Sequence, residues 1–229
     1  MNRSVAPDAR RSARPTPPGT PFPAAFYDRD TSIVARDLLG AVLESRSAAG
    51  LTSARIVETE AYIGPDDPAC HAVAGLTPRT RHLFGPPGVA YVYLIYGVYW
   101  CFNAVTREAG HGSAVLVRAV SPIDGEALMQ QRRPNVRTRY DLTNGPGKLC
   151  LALGITGAAS GHSLDQPALR IVAGNPVADR DVVVTPRIGI TRAAAWPLRY
   201  FVSGDRFVSR TPANFPRSGW PPALRDSSD

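Results

Sequence analysis

Ala90-Tyr91-Val92-Tyr93-Leu94-Ile95-Tyr96-Gly97-Val98-Tyr99-Trp100-Cys101-Phe102-Asn103 is the stretch that decides the fold. Aromatic and β-branched residues favour strands, and Gly97 supplies the positive φ that a tight hairpin turn needs. Two strands folding back at Tyr96-Gly97 account for the pattern and leave an aromatic near the tip of a stiff ribbon. No charge falls between Leu83 and Thr106, a length that raises a membrane span. Gly85, Pro86, Pro87, Gly88 and Gly97 interrupt the run, however, and tyrosine is too frequent for a bilayer centre, so a hairpin is expected and a membrane span is not. Taken alone, the run has two uses. Its aromatics fill a core, or its tip is a wedge that enters stacked bases.

The composition around the run favours a polyanionic partner. The chain has 229 residues, enough for one large domain or two small ones, with 44% hydrophobic and 20% charged residues. Lys+Arg number 26 against 19 Asp+Glu, a net charge of +7. Lys148 is the only lysine. The arginine fork suits phosphate and guanine, although a GC-rich coding bias produces the same imbalance. Cys70, Cys101 and Cys150 are odd in number and form no Cys-x-x-Cys pair. That argues against a disulfide framework and fits a reducing cytoplasm. His71, His82, His111 and His162 show no ligand spacing, so neither a metal site nor a cofactor is expected. No apolar signal-peptide core follows the N-terminal arginines.

Residues 1–22 carry Arg3, Arg10, Arg11 and Arg14 among prolines and read as a disordered basic tail, either inert or weakly attractive to nucleic acid. Residues 211–229, with Pro212, Pro216, Pro221 and Pro222, read as a loose C-terminal tail. The domain between them, 23–210, opens with a helix over Thr31–Leu39, capped by Asp30 or Thr31 and stopped by Gly40. Strands are expected at Ser53–Ile63, on both sides of the hairpin, and at Ala114–Val120, Leu169–Ala173, Val182–Ile190 and Leu198–Ser203. Helices are expected at Asp124–Arg133 and Lys148–Leu153. With no regular βαβ alternation, the class is α+β: a single domain with a mainly antiparallel curved sheet, flanking helices and a protruding hairpin.

The second informative stretch is Arg55-Ile56-Val57-Glu58-Thr59-Glu60-Ala61-Tyr62-Ile63. Alternation across a strand puts Glu58, Glu60 and Tyr62 on one face and Val57, Ala61 and Ile63 on the other, the core face. Two carboxylates beside a tyrosine are either a solvated sheet face or the acid–base equipment for cleaving a glycosidic bond through an oxocarbenium-like state. Downstream, His71 falls on a Pro/Asp/Gly-rich loop where functional groups concentrate, and Arg79 and Arg81 are candidate phosphate contacts.

Ile-Val-Glu-Thr-Glu-Ala-Tyr-Ile-Gly-Pro-Asp-Asp (56–67), His71, Thr-Pro-Arg-Thr-Arg (77–81), the hairpin (91–103), Val-Leu-Val-Arg-Ala-Val-Ser-Pro (115–122) and Asn-Gly-Pro-Gly-Lys-Leu-Cys (144–150) closely resemble the alkyladenine (3-methyladenine) DNA glycosylase family over residues 25–210. The resemblance implies a monofunctional enzyme of base excision repair. Such an enzyme flips an alkylated or deaminated purine from duplex DNA and hydrolyses its N-glycosidic bond. Position by position, Glu60 matches the residue that activates the water. Tyr62, His71 and Tyr93 match the walls around the flipped base, and Asn103 the pocket residue that disfavours the exocyclic amine of normal guanine. Tyr96 matches the residue that enters the minor groove, and Arg118 an arginine near the flipped nucleotide. Lys148, at an expected helix start, reads as a phosphate contact. A monomer acting on double-stranded DNA is expected. The competing readings are a catalytically silent nucleic-acid-binding module of the same fold and a nucleosidase or sugar hydrolase using Glu58 and Glu60, in which the Tyr96 wedge has no use.

Overall fold

The longest strand, β2 (Gly50–Tyr62), organises the molecule. In the computed structural model, which describes residues 16–209, β2 pairs along one edge with β5 (Ser113–Asp124). Its other edge is shared. Residues 50–55 pair with β1 (Val42–Ser47), and Glu58–Glu60 pair with β8 (Arg199–Val202). The strand order is β3-β4-β5-β2-β1-β6, with β3 (Ala90–Ile95), β4 (Tyr99–Thr106) and β6 (Leu169–Val172); β7 (Val182–Thr185) joins through β8. Every pairing is antiparallel, and the curled sheet with its helices makes one α+β domain.

Period-two alternation assigns the two faces. Ala90, Val92, Phe102, Ala104, Val115, Val117 and Ala61 point into the main core. Helices α2 (Thr31–Asp37), α3 (Glu126–Arg132) and α4 (Pro146–Leu153) close that core with Val34, Ala35, Leu38, Met129, Leu149 and Leu153. Asp30 caps α2 by accepting the Ser32 and Ile33 N–H groups. Pro146 occupies the first turn of α4, where its missing N–H costs nothing. A short helix, α1 (Ala24–Tyr27), precedes α2.

Three departures from the sequence reading have physical causes. Val57 does not share a face with Ala61: it packs with Ala119, Phe201, Phe207 and Val208 in a separate cluster. Ile56 faces Val120, Glu58 faces Ala119 and Thr59 faces Val117, so Val57 is an extra residue in β2 and Arg118 an extra residue in β5. Such bulges re-aim side chains. β1 escaped the sequence reading because it is half polar. It is held by ladders on both edges and by the Arg170–Glu44 pair at 2.7 Å, not by apolar composition. The strand expected over Val182–Ile190 stops at Thr185, because Pro186 has no N–H to continue the ladder.

The expected tails at 1–15 and 211–229 lie outside the described residues. Within the first expected tail, Gly19 N–H donates to Ala173 C=O, Phe22 N–H donates to Ile171 C=O, and the Phe22 ring stacks on Phe26 at 3.8 Å. Among the described residues no helix is long and apolar enough to cross a membrane.

Candidate active site

The non-core face of β3-β4-β5-β2 carries one cross-strand row. Tyr91 faces Asn103, Asn103 faces Leu116, Leu116 faces Glu60, and Glu60 faces Arg199 on β8. Two further pairs flank this row on opposite sides: Tyr93 opposite Cys101, and Ala114 opposite Tyr62. These side chains, apart from Glu60 and Arg199, floor a cavity of about 340 Å³. The loop carrying His71, the loop carrying Ile188–Ile190, Pro146 at the start of α4, and Tyr96 at the hairpin tip complete its walls.

Glu60 sits one layer behind the cavity surface and is fully buried. Its Oε1 accepts the Ile188 N–H at 2.8 Å and lies 3.3 Å from Arg118 Nη1; its Oε2 accepts the Tyr62 hydroxyl at 3.0 Å. Tyr62 and Arg118, both bonded to Glu60, do line the cavity. Glu58 is equally buried, which overturns the solvated-face reading of the two carboxylates. Its Oε1 accepts from Arg199 Nε at 2.6 Å and Arg118 Nε at 3.2 Å, and its Oε2 accepts the Ser209 N–H at 2.7 Å. Burial pushes the Glu58 carboxyl up, but Arg118, Arg199 and the Ser209 N–H outweigh it and hold the group below the usual carboxylate range.

The aromatic lining is fixed from behind. The Arg187 guanidinium lies 4.6 Å from the Tyr62 ring centroid, donates to Ala61 C=O at 2.9 Å and pairs with the buried Asp67, its Nη2 2.8 Å from Oδ1. His71 opens a 3₁₀ turn; its Nδ1 is 3.0 Å from the Tyr91 hydroxyl and its ring packs edge-on to Tyr93 at 4.5 Å. Burial and then Arg79 hold His71 below the ordinary imidazole range, so it is neutral at physiological pH. Burial pushes the Tyr91 phenol up to about 12, and those of Tyr62 and Tyr93 higher still, so all three remain protonated donors. Asn103 is buried and donates through Nδ2 to Tyr91 C=O at 3.0 Å and Cys101 C=O at 3.4 Å, which locks its amide against the cavity floor.

The hairpin turn is closed by Val98 N–H to Ile95 C=O at 3.1 Å. Tyr96 has φ +53° and Gly97 φ +69°, the sign pattern of a type I′ turn. Tyr96 is 86% exposed, the most exposed large apolar side chain of the described residues. Its base is braced, since Tyr99 Cβ lies 2.8 Å from where a Gly147 Cβ would stand on α4.

Glu60, Tyr62, His71, Tyr93, Asn103, Tyr96, Arg79 and Arg118 are thus gathered at one cavity or bonded to its wall. Arg81 and Lys148 are not. Arg81 donates to His82 Nε2 at 3.0 Å, and Lys148 donates to Asn144 Oδ1 at 2.7 Å. Sequence reasoning missed Tyr91, although it is two residues from Tyr93 and therefore on the same face. It also missed Arg187 and Ile188, hidden inside the misread strand; Pro186 was the available signal.

A family model described as methylpurine-DNA glycosylase matches residues 25–206. Curated relatives include a Myxococcus xanthus protein 49% identical over 83% of this chain and 94% of its own. A Methanocella arvoryzae protein is 48% identical over 82% and 96%, and a Methanoculleus marisnigri protein 50% identical over 82% and 98%. Each is named "Putative 3-methyladenine DNA glycosylase".

Proposed function

Since the chain belongs to the methylpurine-DNA glycosylase family, we propose that its cavity receives a damaged purine flipped out of duplex DNA and that Glu60 activates the water that cuts the N-glycosidic bond. The observation that carries this reading is the buried Glu60 carboxylate at the wall of an aromatic cavity with an exposed Tyr96 on its rim.

Chemistry at C1′ requires the nucleotide to leave the stack, at a cost of about a few kcal/mol, least for damaged or mispaired bases. Tyr96 enters the vacated space and offsets part of the lost stacking. The flipped purine lies among Tyr62, His71 and Tyr93. A cationic base such as 3-methyladenine or 7-methylguanine is drawn to the tyrosine faces, and neutral His71 does not repel it. The buried Asn103 amide disfavours the exocyclic amine of normal guanine; in 7-methylguanine the positive charge on the base, which strengthens stacking and weakens the glycosidic bond, offsets that cost. The water sits at the cavity wall beside Tyr62 and Arg118, the two lining residues bonded to Glu60, and gains access to the carboxylate when the lesion is bound. As the glycosidic bond breaks and its electron pair leaves with the base, the carboxylates and fixed dipoles stabilise the positive sugar. The water oxygen bonds to C1′ and its proton passes to Glu60. The products are a free base and an intact strand with an abasic site. Hypoxanthine and ethenoadenine are included in the substrate class, with protonation of the leaving base as an added requirement. Arg79 and Arg81 meet backbone phosphate. The enzyme acts as a monomer in a reducing cytoplasm, where Cys70, Cys101 and Cys150 stay free.

Duplexes each bearing one lesion (alkylated adenine, 7-methylguanine, hypoxanthine, ethenoadenine) test the reading. Abasic sites are expected from the lesion duplexes, and no release of free base from the corresponding nucleosides. Tight lesion binding without any abasic product overturns catalysis and leaves a binding module.

A further inference from the structure

We propose that Glu58 is a positioning residue that neutralises Arg118 and Arg199, leaving the charge of Glu60 free to act on the sugar. The proposal rests on Glu60 being the base. Glu58 touches neither the cavity nor Glu60, yet two of the cations around Glu60 are tied to it.

The geometry is specific. Arg118 has two carboxylates within reach. It gives Nε to Glu58 at 3.2 Å and only Nη1 to Glu60 at 3.3 Å. A guanidinium free to turn would take Glu60 in a two-pronged pair, the stronger arrangement, and would cancel its charge. Arg199 stands directly opposite Glu60 in the β2–β8 register, but its Nε goes to Glu58 at 2.6 Å and its Nη1 to Thr185 Oγ1 at 3.1 Å. Its buried Nη2 has no hydrogen-bond partner among the described residues. The Ser209 N–H holds the second oxygen of Glu58, so this carboxylate cannot rotate away.

The other groups facing Glu60 do not change the balance. Tyr62 from β2, Tyr93 from β3 and Cys101 from β4 all have their ionisation pushed up by burial and stay neutral. Arg187, from the loop after β7, is already paired with Asp67. The buried charges are therefore Glu58, Glu60 and Asp67 against Arg118, Arg199 and Arg187. Loss of the Glu58 charge alone leaves one excess positive charge beside a sugar that becomes positive in the transition state. It also hands Arg118 and Arg199 to Glu60.

The test is single-turnover excision of 7-methylguanine from a duplex, followed against pH. This leaving group is already cationic, so the acid limb reports the base alone. Glu58→Gln is expected to bind lesion DNA, to excise at least about tenfold more slowly on the plateau, and to move the acid-limb midpoint down by about one pH unit. Glu58→Gln combined with Arg199→Met removes one charge of each sign and is expected to return the midpoint to the wild-type value with most of the rate. A Glu58→Gln midpoint equal to wild type overturns the proposal, as does a double variant whose midpoint stays displaced. Should the single variant fail to fold, Arg199→Met alone decides: it leaves the Glu58 charge in excess and is expected to raise the midpoint by about one pH unit, and a wild-type midpoint there overturns the proposal. Glu60→Gln is run alongside. Wild-type excision by that variant defeats the reading of the base itself, whatever Glu58 does.

Discussion

Replacing Tyr96 by glycine is expected to stabilise the free protein while crippling it. Tyr96 holds φ +53° at the first central position of the hairpin turn. A side chain in that left-handed region costs about 1–2 kcal/mol. Glycine removes the cost but adds about 0.4–1 kcal/mol of unfolded-chain entropy. Because the ring is 86% exposed, its loss forfeits almost no burial. The net change is a stabilisation of roughly 0–1.6 kcal/mol, a rise in melting temperature of at most about 6 °C for a chain of this size. A Gly-Gly turn keeps the hairpin geometry. The same change deletes the wedge. One base–aromatic stack is worth about 1–3 kcal/mol, so lesion-specific affinity should fall roughly 5- to 150-fold with a smaller change on undamaged duplex. Urea melts and binding to matched lesion and undamaged duplexes measure both halves. A variant destabilised by more than about 2 kcal/mol would mean that the ring packs, against its exposure. Equal affinity losses on the two duplexes would mean that it is not a wedge. A strained, exposed aromatic that raises stability when removed and lowers affinity is the signature of a residue kept for binding.

Glu60→Gln should retain lesion binding and lose about 10⁴-fold or more in excision, whereas near-normal single-turnover rates would remove Glu60 from the chemistry. Gly147→Ala places a Cβ 2.8 Å from Tyr99 Cβ; the clash should cost about 1–3 kcal/mol in a denaturation curve and slow excision by tilting the hairpin, while unchanged melting would show that α4 does not brace it. Glu58 is held below its unfolded value of 4.5, so it binds fewer protons folded than unfolded. Its contribution is present above that value and lost as pH falls through the lower folded value; urea melts across the acid range should show wild type losing more stability than Glu58→Gln, and parallel losses would contradict the shift. Lys148 donates to Asn144 Oδ1, and no other lysine exists to form the Schiff base that strand cleavage needs; the product strand should stay intact until hot alkali, and a borohydride-trapped adduct lost on Lys148→Ala would reverse this.

Much of this site was written in local sequence because a strand has a period of two. Tyr93, Asn103, Glu60 and Tyr62 each declare a face through their neighbours, and Tyr96-Gly97 declares a turn because few other pairs tolerate two positive φ values. The helix start at Asp30 was legible for the same local reason, and that of α4 was read two residues late, at Lys148 rather than Pro146. Local pattern could not say which strands lie side by side. The row from Tyr91 through Asn103 and Leu116 to Glu60 joins residues of four strands, and register is set by the packing of the whole sheet. Nor could it say that Glu58 is buried. A Glu-x-Glu strand reads as a wet face until Arg199 and Ser209, distant in sequence, close over it. The paired bulges at Val57 and Arg118 and the loop that brings Arg187 and Ile188 to the site are likewise decisions of the tertiary structure. The reason is physical: alternation and turn preference are short-range steric effects carried by each residue and its neighbours, whereas burying a charge is tolerable only when a partner from elsewhere in the chain arrives to meet it.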